Sequence, residues 1–170
     1  GMAAYDSAGN LKTRVDGRGL ATSYDYDADG RLTAVRYSDK SSVAFSYDAA
    51  GQRTQVQDAL GKTSYQYDIH GQLNRAVDAL NQELRFAYEP RGLISTMTYP
   101  DGSPVLFQWD ANGWLTAVQD PAGKSTYKYD LAGRVLERTL PNGIRTLYQY
   151  DAVGRLVSLN HQTPQGSLLL

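Results

Sequence analysis

Aromatic and polar residues alternate in short segments along the chain. Tyr24 and Tyr26 flank Asp25, Phe45 and Tyr47 flank Ser46, and Tyr65 and Tyr67 flank Gln66. The arrangement returns at Phe86 and Tyr88, at Phe107 and Trp109 around Gln108, at Tyr127 and Tyr129 around Lys128, and at Tyr148 and Tyr150 around Gln149. A period of two puts both aromatics on one face of an extended strand and the largely polar residues on the other. Two residues earlier on the aromatic face stand Thr22, Val43, Thr63, Leu84, Val105 and Thr146, which are β-branched or leucine. The segments between turn signals run about six or seven residues, which is strand length and too short for useful helices.

Each alternating segment ends in the same short motif, an aromatic followed by an acid and, three residues after the acid, a glycine. Tyr5-Asp6 precedes Gly9, Tyr26-Asp27 precedes Gly30, Tyr47-Asp48 precedes Gly51, and Tyr67-Asp68 precedes Gly71. Tyr88-Glu89 precedes Gly92, Trp109-Asp110 precedes Gly113, Tyr129-Asp130 precedes Gly133, and Tyr150-Asp151 precedes Gly154. The steps between successive motif aromatics are 21, 21, 20, 21, 21, 20 and 21 residues, so eight copies fill the chain almost from end to end. Glycine at this place fits a backbone position with positive φ, which a side chain disfavours. The acid is suited to accept hydrogen bonds from N–H groups two or three residues ahead and so lock a turn.

Two residues after each glycine comes Leu11, Leu32, Arg53, Leu73, Ile94, Leu115, Val135 or Leu156, an inward anchor in every copy but Arg53. A second turn lies halfway round, fourteen residues after each aromatic, at Gly19, Lys40, Gly61, Asn81, Gly102, Gly123 and Gly143. All but Lys40 are residues that tolerate the left-handed region. "PDG" at Pro100–Gly102 and "PNG" at Pro141–Gly143 read as the tight hairpins, with Ser38–Lys40 a weaker relative. "DGRG", "DALG", "DALN" and "DPAG" read as four-residue equivalents. Between the two turns, Leu32 and Val35, or Leu115 and Val118, stand three apart, which breaks the period of two and calls for a bulge.

The expected fold is therefore all-β: about eight consecutive β-hairpins over residues 5–159, forming one long, twisted and curled antiparallel ribbon of about fifteen strands. An aromatic face worth roughly 1.5–3 kcal/mol per fully buried ring does not stay in water. The ribbon can close on itself, spiral around a space, or pair with another copy or domain. Self-association through exposed edges or the aromatic face is the expectation.

Composition narrows this further. Tyrosine is abundant at 13 residues and glycine at 16, as strands and tight turns require. The net charge of −1 is scattered, without a basic footprint for nucleic acid. No apolar run, the terminal Leu168–Leu170 included, approaches the eighteen or so residues of a membrane span. With no cysteine there is neither a disulfide framework nor a thiolate metal site. Gly1-Met2 reads as a cloning remnant in residues 1–4, the start of a fragment, and no signal peptide follows it. Residues 160–170 read as a truncated connection, frayed or docked on an edge.

The unit seen nearly intact at Tyr26–Leu32 and at Thr126–Val135 resembles the YD repeat of the Rhs-repeat family, over about Tyr5 to Leu159. Local departures are Arg53 for leucine, Glu89 for aspartate and Trp109 for tyrosine. The family includes bacterial polymorphic toxins, insecticidal toxin-complex proteins and the animal teneurins. The resemblance implies a β-ribbon spiralling into a hollow shell that encloses a C-terminal toxic domain, or that serves an adhesion protein. It also implies a secreted or cell-surface location, and partners that are the remaining shell and the enclosed domain of the same parent chain. The family's self-cleaving DPxGL motif is similar to "DPAG" at Asp120–Gly123. Here Lys124 replaces the leucine, and the register is that of the ordinary mid-repeat turn.

No catalytic, cofactor or metal site emerges. Calcium bridging or catalysis needs carboxylates that converge, whereas these acids recur once per hairpin. The tyrosine rows are the alternative chemistry, as platforms for a carbohydrate, weighed against their use as core and cross-strand ladders. His70 falls inside a turn and His161 in the polar tail, both read as solvated, and neither has a nucleophile at a recognisable spacing. The reading is a non-catalytic structural segment of a shell, with a glycan- or partner-binding adhesion module as the alternative.

Overall fold

The structure, a computed structural model, describes residues 1–168. Its elements are sixteen strands, with no helix among the described residues. They fall into two compact units, Gly1–Leu84 and Arg85–Leu170.

The first unit contains β1 (Met2–Tyr5), β2 (Leu11–Val15), β3 (Ala21–Tyr26), β4 (Leu32–Tyr37), β5 (Ser42–Tyr47), β6 (Arg53–Asp58), β7 (Gly61–Tyr67) and β8 (Leu73–Val77). The second contains β9 (Glu83–Tyr88, from its third residue), β10 (Ile94–Thr98), β11 (Pro104–Trp109), β12 (Leu115–Asp120), β13 (Gly123–Tyr129), β14 (Val135–Thr139), β15 (Arg145–Tyr150) and β16 (Leu156–Gln162). Within each unit every strand pairs antiparallel with its neighbour in the chain. The all-β hairpin array is thus present in both. The strand beyond the expected fifteen is Met2–Tyr5, which pairs with β2, and residues 160–162 lengthen β16 opposite Arg145–Leu147.

The bulge that the hydrophobic spacing calls for occurs in every hairpin, at one fixed place. Tyr26 faces Leu32 and Asp25 faces Ala34, so Thr33 is the extra residue, and Val35 then comes opposite Tyr24. The same skip falls at Lys12, Thr54 and Asn74 in the first unit. In the second it falls at Ser95, Thr116, Leu136 and Val157. One inserted residue returns the second apolar side chain to the aromatic face, which explains a spacing of three inside a strand.

The turns at the motif edge share one backbone pattern. The acid's N–H donates to the carbonyl four residues on, and the glycine N–H donates back to the acid's carbonyl, as in Asp27 N–Arg31 O at 3.0 Å and Gly30 N–Asp27 O at 3.0 Å. Five mid-repeat turns use the same pattern, starting at Asp16, Tyr37, Asp78, Tyr99 and Leu140. Lys40 takes φ 71° and Asn81 φ 63° in them, so Lys40 occupies the left-handed place that its residue type disfavours.

The tight hairpins are not at "PDG" and "PNG". Asp58 pairs directly with Gly61, and Asp120 with Gly123, leaving two-residue loops, while "PDG" and "PNG" belong to the longer type. Both tight-turn glycines have φ near 130° (130° and 131°), open to glycine and rarely to other residues. "DALN" shares three letters with "DALG", but Asn81 reaches only the left-handed region and takes the longer turn. The two short steps of the repeat, Tyr47 to Tyr67 and Trp109 to Tyr129, are the two that contain the tight loops.

The chain's own core is thin. Among the described residues, Val35 is the buried apolar side chain of the first unit, Val105 and Ala117 are those of the second, and no large side chain is fully buried. Ala117 faces Gln108 and Thr126, so it lies beneath the polar face. The motif tyrosines from Tyr26 onward are half-buried.

After β16 the tail repeats the five-residue turn. Thr163 N donates to Ser167 O at 2.8 Å, Gly166 takes φ 90°, and Leu168 bridges back to Gln162. Leu169 and Leu170, the rest of the apolar run, lie outside the described residues.

Candidate functional site

The recurring candidate is the turn that follows each motif aromatic. Asp6 Oδ1 accepts the N–H of Ala8 at 2.9 Å and of Asn10 at 2.8 Å. Asp27 does the same with Asp29 and Arg31, Asp68 with His70 and Gln72, and Asp110 with Asn112 and Trp114. Asp130 holds Ala132 and Arg134, Asp151 holds Val153 and Arg155, and Asp48 holds Gln52. The sequence expectation was N–H groups two or three residues ahead; the structure has two and four. The N–H three ahead belongs to the glycine and is already bonded to the acid's own carbonyl, as in Gly9 N–Asp6 O at 3.1 Å.

These bonds stabilise the ionised carboxylate. The N–H four residues on is the main cause holding Asp6, Asp27, Asp130 and Asp151 below the ordinary carboxyl range. The second oxygen is used as well: Asp27 Oδ2 accepts Arg31 Nε at 2.7 Å, Asp130 accepts Arg134 at 2.6 Å, and Asp151 accepts Arg155 at 2.7 Å.

At Arg31, Gln52, Trp114 and Arg134 the residue just after the glycine reaches toward the next motif turn. The Arg31 guanidinium lies over the Tyr47 ring, 5.2 Å from its centroid, and Nη1 donates to Asp48 O at 3.3 Å. Gln52 Nε2 donates to Gly71 O at 3.0 Å. Trp114 packs 5.5 Å from the Tyr129 centroid, and Arg134 lies 4.9 Å from that of Tyr150. A Cβ added to Gly133 would come within 3.0 Å of the Trp114 ring, so this glycine is required by its φ of 80° and again by the neighbour that lies on it. Where the reaching residue is the apolar Leu93, Arg91 supplies the polar contact, to Asp110 O at 2.8 Å.

The motif aromatic closes the joint from the other side. Tyr47 Oη donates to Leu32 O at 2.8 Å, Tyr129 Oη to Leu115 O at 2.7 Å, and Trp109 Nε1 to Ile94 O at 2.8 Å. Tyr26, Tyr67 and Tyr150 bind Leu11, Arg53 and Val135 in the same way. Each acceptor is the main-chain carbonyl of the anchor one repeat earlier. Arg53 therefore performs the anchor's task through its backbone, and its guanidinium lies over Phe45 and Tyr65, 6.0 and 5.6 Å from the centroids. Desolvation by burial, with the nearby Tyr127 and Asp110 charges, raises the Tyr129 phenol above its ordinary value, so it stays a donor.

Sequence reasoning missed this joint, though a signal for it was present. All three phenylalanines, Phe45, Phe86 and Phe107, sit two residues before a motif aromatic, and none sits at the motif position, where a ring with an N–H or O–H donor is always found.

The remaining candidates separate cleanly. His70 is exposed, and its backbone N–H caps Asp68. His161 is not solely solvated, because its Nδ1 lies 3.0 Å from Oγ1 of the buried Thr146. Asp120 Oδ1 accepts the N–H groups of Ala122 and Gly123, as a turn acid does. Among the described residues no three His, Asp or Glu side chains converge as metal ligands would. One open cleft of about 780 Å³ lies on the first unit, lined by Arg14, Leu20, Thr22, Tyr24 and Tyr37 among others.

These features define an all-β hairpin-repeat protein whose recurring site is a joint between successive repeats. The family model described as RHS Repeat matches residues 5–42, 26–63, 47–83, 109–144 and 129–167, and the chain belongs to that family. It is similar to the tRNA3(Ser)-specific nuclease WapA of Bacillus spizizenii, at 28% identity over 130 residues, covering 74% of this chain and 5% of that protein. It is also similar to the double-stranded DNA deaminase toxin A of Burkholderia cenocepacia, at 28% identity over 121 residues, covering 71% and 8%. In fold it matches the crystal structure of TcdB2-TccC3 with a TM-score of 0.83 at 18% identity, covering 99% of this chain and 11% of that one. The chain thus spans about a tenth or less of the length of each.

Proposed function

We propose that this chain is a non-catalytic wall segment: a stretch of YD-repeat shell that encloses or presents another domain, a toxin, of a secreted or surface protein. The observation that carries the reading is the fate of the motif side chains. Aspartate, tyrosine and glycine, the residues that would make a site, are engaged turn after turn with backbone groups of their own or the neighbouring repeat. Side chains committed in this way hold a wall in register and leave no group free for proton transfer. On this reading the activities in the relatives' names belong to other parts of those far longer chains, and the partners of this segment are the rest of its parent polypeptide.

Limited proteolysis of the parent polypeptide tests it. The enclosed domain is expected to resist protease in the native chain, and to be cut once two joints are removed by Tyr47→Ala with Tyr129→Ala. Equal cleavage in both would overturn the reading.

The half-exposed rings and the open cleft with Arg14, Tyr24 and Tyr37 favour a second reading, a carbohydrate- or partner-binding adhesion surface. Oligosaccharides that shift tyrosine resonances lining that cleft, and lose the effect in Tyr24→Ala, would support it. Silence across a broad glycan set would remove it.

A further inference from the structure

The arginines divide by face. On the polar face Arg36 pairs with Asp25 and Arg75 with Glu83, and Arg145 donates to Gln162 Oε1. At the turns Arg18, Arg31, Arg91, Arg134 and Arg155 each hold the acid of their own turn. Arg14 and Arg53 in the first unit and Arg138 in the second are different. Among the described residues none of the three has a hydrogen-bonded or ion-paired partner, all are exposed, and all stand on the aromatic face. Arg14 faces Thr22, Arg53 faces Tyr47, and Arg138 lies between Tyr127 and Thr146. Arg14 and Arg138 fill the place that Val35, Val56 and Val118 hold in other repeats, and Arg53 the place of Leu32 and Leu73. Each is on a strand paired on both sides, so its want of a partner arises within the array.

The rest of that face offers these cations nothing. The acids at its mid-repeat margin, Asp16, Asp58, Asp78 and Asp120, are turn residues whose carboxylates accept backbone N–H groups. The rings Phe45, Tyr65 and Tyr127 are half-buried, so covering them is favourable. The Arg53 guanidinium lies over Phe45 and Tyr65 with its N–H groups open. A cover without acids would bury unpaired guanidinium groups, which is strongly unfavourable. A cover that brings a carboxylate to each gains a two-pronged, charge-assisted contact beside the rings. A second copy is a poor cover. Its same face repeats the three cations, and the acids of its other face, Asp25, Glu83 and Glu137, are already paired.

We propose that the aromatic faces dock an acidic surface of the domain that the parent polypeptide encloses or presents, with carboxylates on Arg14, Arg53 and Arg138 and apolar side chains on the rings. The source of the partner rests on the wall reading; its chemistry rests on the unpaired cations.

Two measurements test this. In the first, the chain is titrated with a blocked, labelled heptapeptide of glutamate, tryptophan and glycine, and with its glutamine counterpart, followed by fluorescence anisotropy. The glutamate peptide is expected to bind about tenfold more tightly, and to lose that advantage in high salt. Arg53→Leu should weaken it about tenfold, and Arg14→Val, Arg53→Leu and Arg138→Val together should erase the difference. These changes restore the repeat's own residues, so the urea midpoint should hold or rise, which separates lost binding from lost folding. Equal affinity for the two peptides, no binding of either, or a preference that survives the triple variant would overturn the proposal. In the second, hydrogen exchange in the presented domain of the parent polypeptide is expected to quicken in the triple variant. Unchanged exchange would overturn the docking while leaving the protease shielding by the wall intact, so the two readings fail separately.

Discussion

Five of the seven mid-repeat turns make the same backbone turn as the motif edge, from different sequence. At the motif edge every turn has an acid, a glycine and a ring with a donor. At the mid-repeat edge the five turns of this kind start with Asp16, Tyr37, Asp78, Tyr99 and Leu140, and their left-handed place is held by Gly19, Lys40, Asn81, Gly102 and Gly143. Since the hydrogen-bond pattern is shared, turn formation alone does not require the YD motif. What the motif edge has in addition is the joint, with the reaching residue, the phenol–carbonyl bond and the crowded glycine. The sequence is most constrained where one repeat meets the next, which is how a linear array makes neighbour contacts specific.

Acid should break the comparison on the largest scale. The Asp6, Asp27, Asp130 and Asp151 carboxyls titrate below their ordinary value in the fold, chiefly through the N–H four residues on. Between the two values the unfolded chain binds more protons than the folded one. The contribution is therefore complete above the unfolded pKa of about 4 and is lost as pH falls through the folded values. The mid-repeat acids Asp16, Asp39 and Asp101 shift the same way, so both edges should loosen together. Urea midpoints at pH 7, 4 and 3 should fall in that order, and a flat profile would contradict the assignment.

Within the joint, Tyr129→Ala should cost about 3 kcal/mol in denaturant unfolding, from the ring, its Trp114 contact and the bond to Leu115. A loss no greater than that of an exposed turn residue would refute the joint. Tyr47→Phe keeps the ring and removes only the donor to Leu32, so about 1 kcal/mol should go. At the mid-repeat edge Lys40→Gly relieves a side chain held at φ 71° and should stabilise by about 1 kcal/mol, a gain with no counterpart at the motif edge. Smallest of all, Leu60→Ala at a mid-repeat tip, where the side chain is 86% exposed, should change stability by no more than about 0.5 kcal/mol.

Much of this was legible before any coordinates. The period, the strands, both sets of turns and the bulge behind the Leu32–Val35 spacing follow from residue types and steric rules. Proline is a poor guide to the tight loops, since it stands in the longer turns at Pro100 and Pro141 as well as in the tight one at Pro121, whereas the 20-residue steps locate them at Asp58–Gly61 and Asp120–Gly123. The reaching position was invisible because it is filled by Asn10, Arg31, Gln52, Leu93, Trp114 and others, which share reach and not chemistry. The phenol–carbonyl bond was hidden for a related reason. Its acceptor is a main-chain atom that every residue has, so Arg53 looked like a broken anchor while keeping the contact.

The pairing of each strand with its chain neighbours alone bears on how such a polypeptide acquires its shape. Within either unit no strand waits for a distant part of the sequence before it can pair. The loops that close are those of single hairpins, the least entropically demanding kind. Order can therefore spread along each unit like a zipper, each finished repeat templating the next, at a pace set by local hairpin closure rather than by a search.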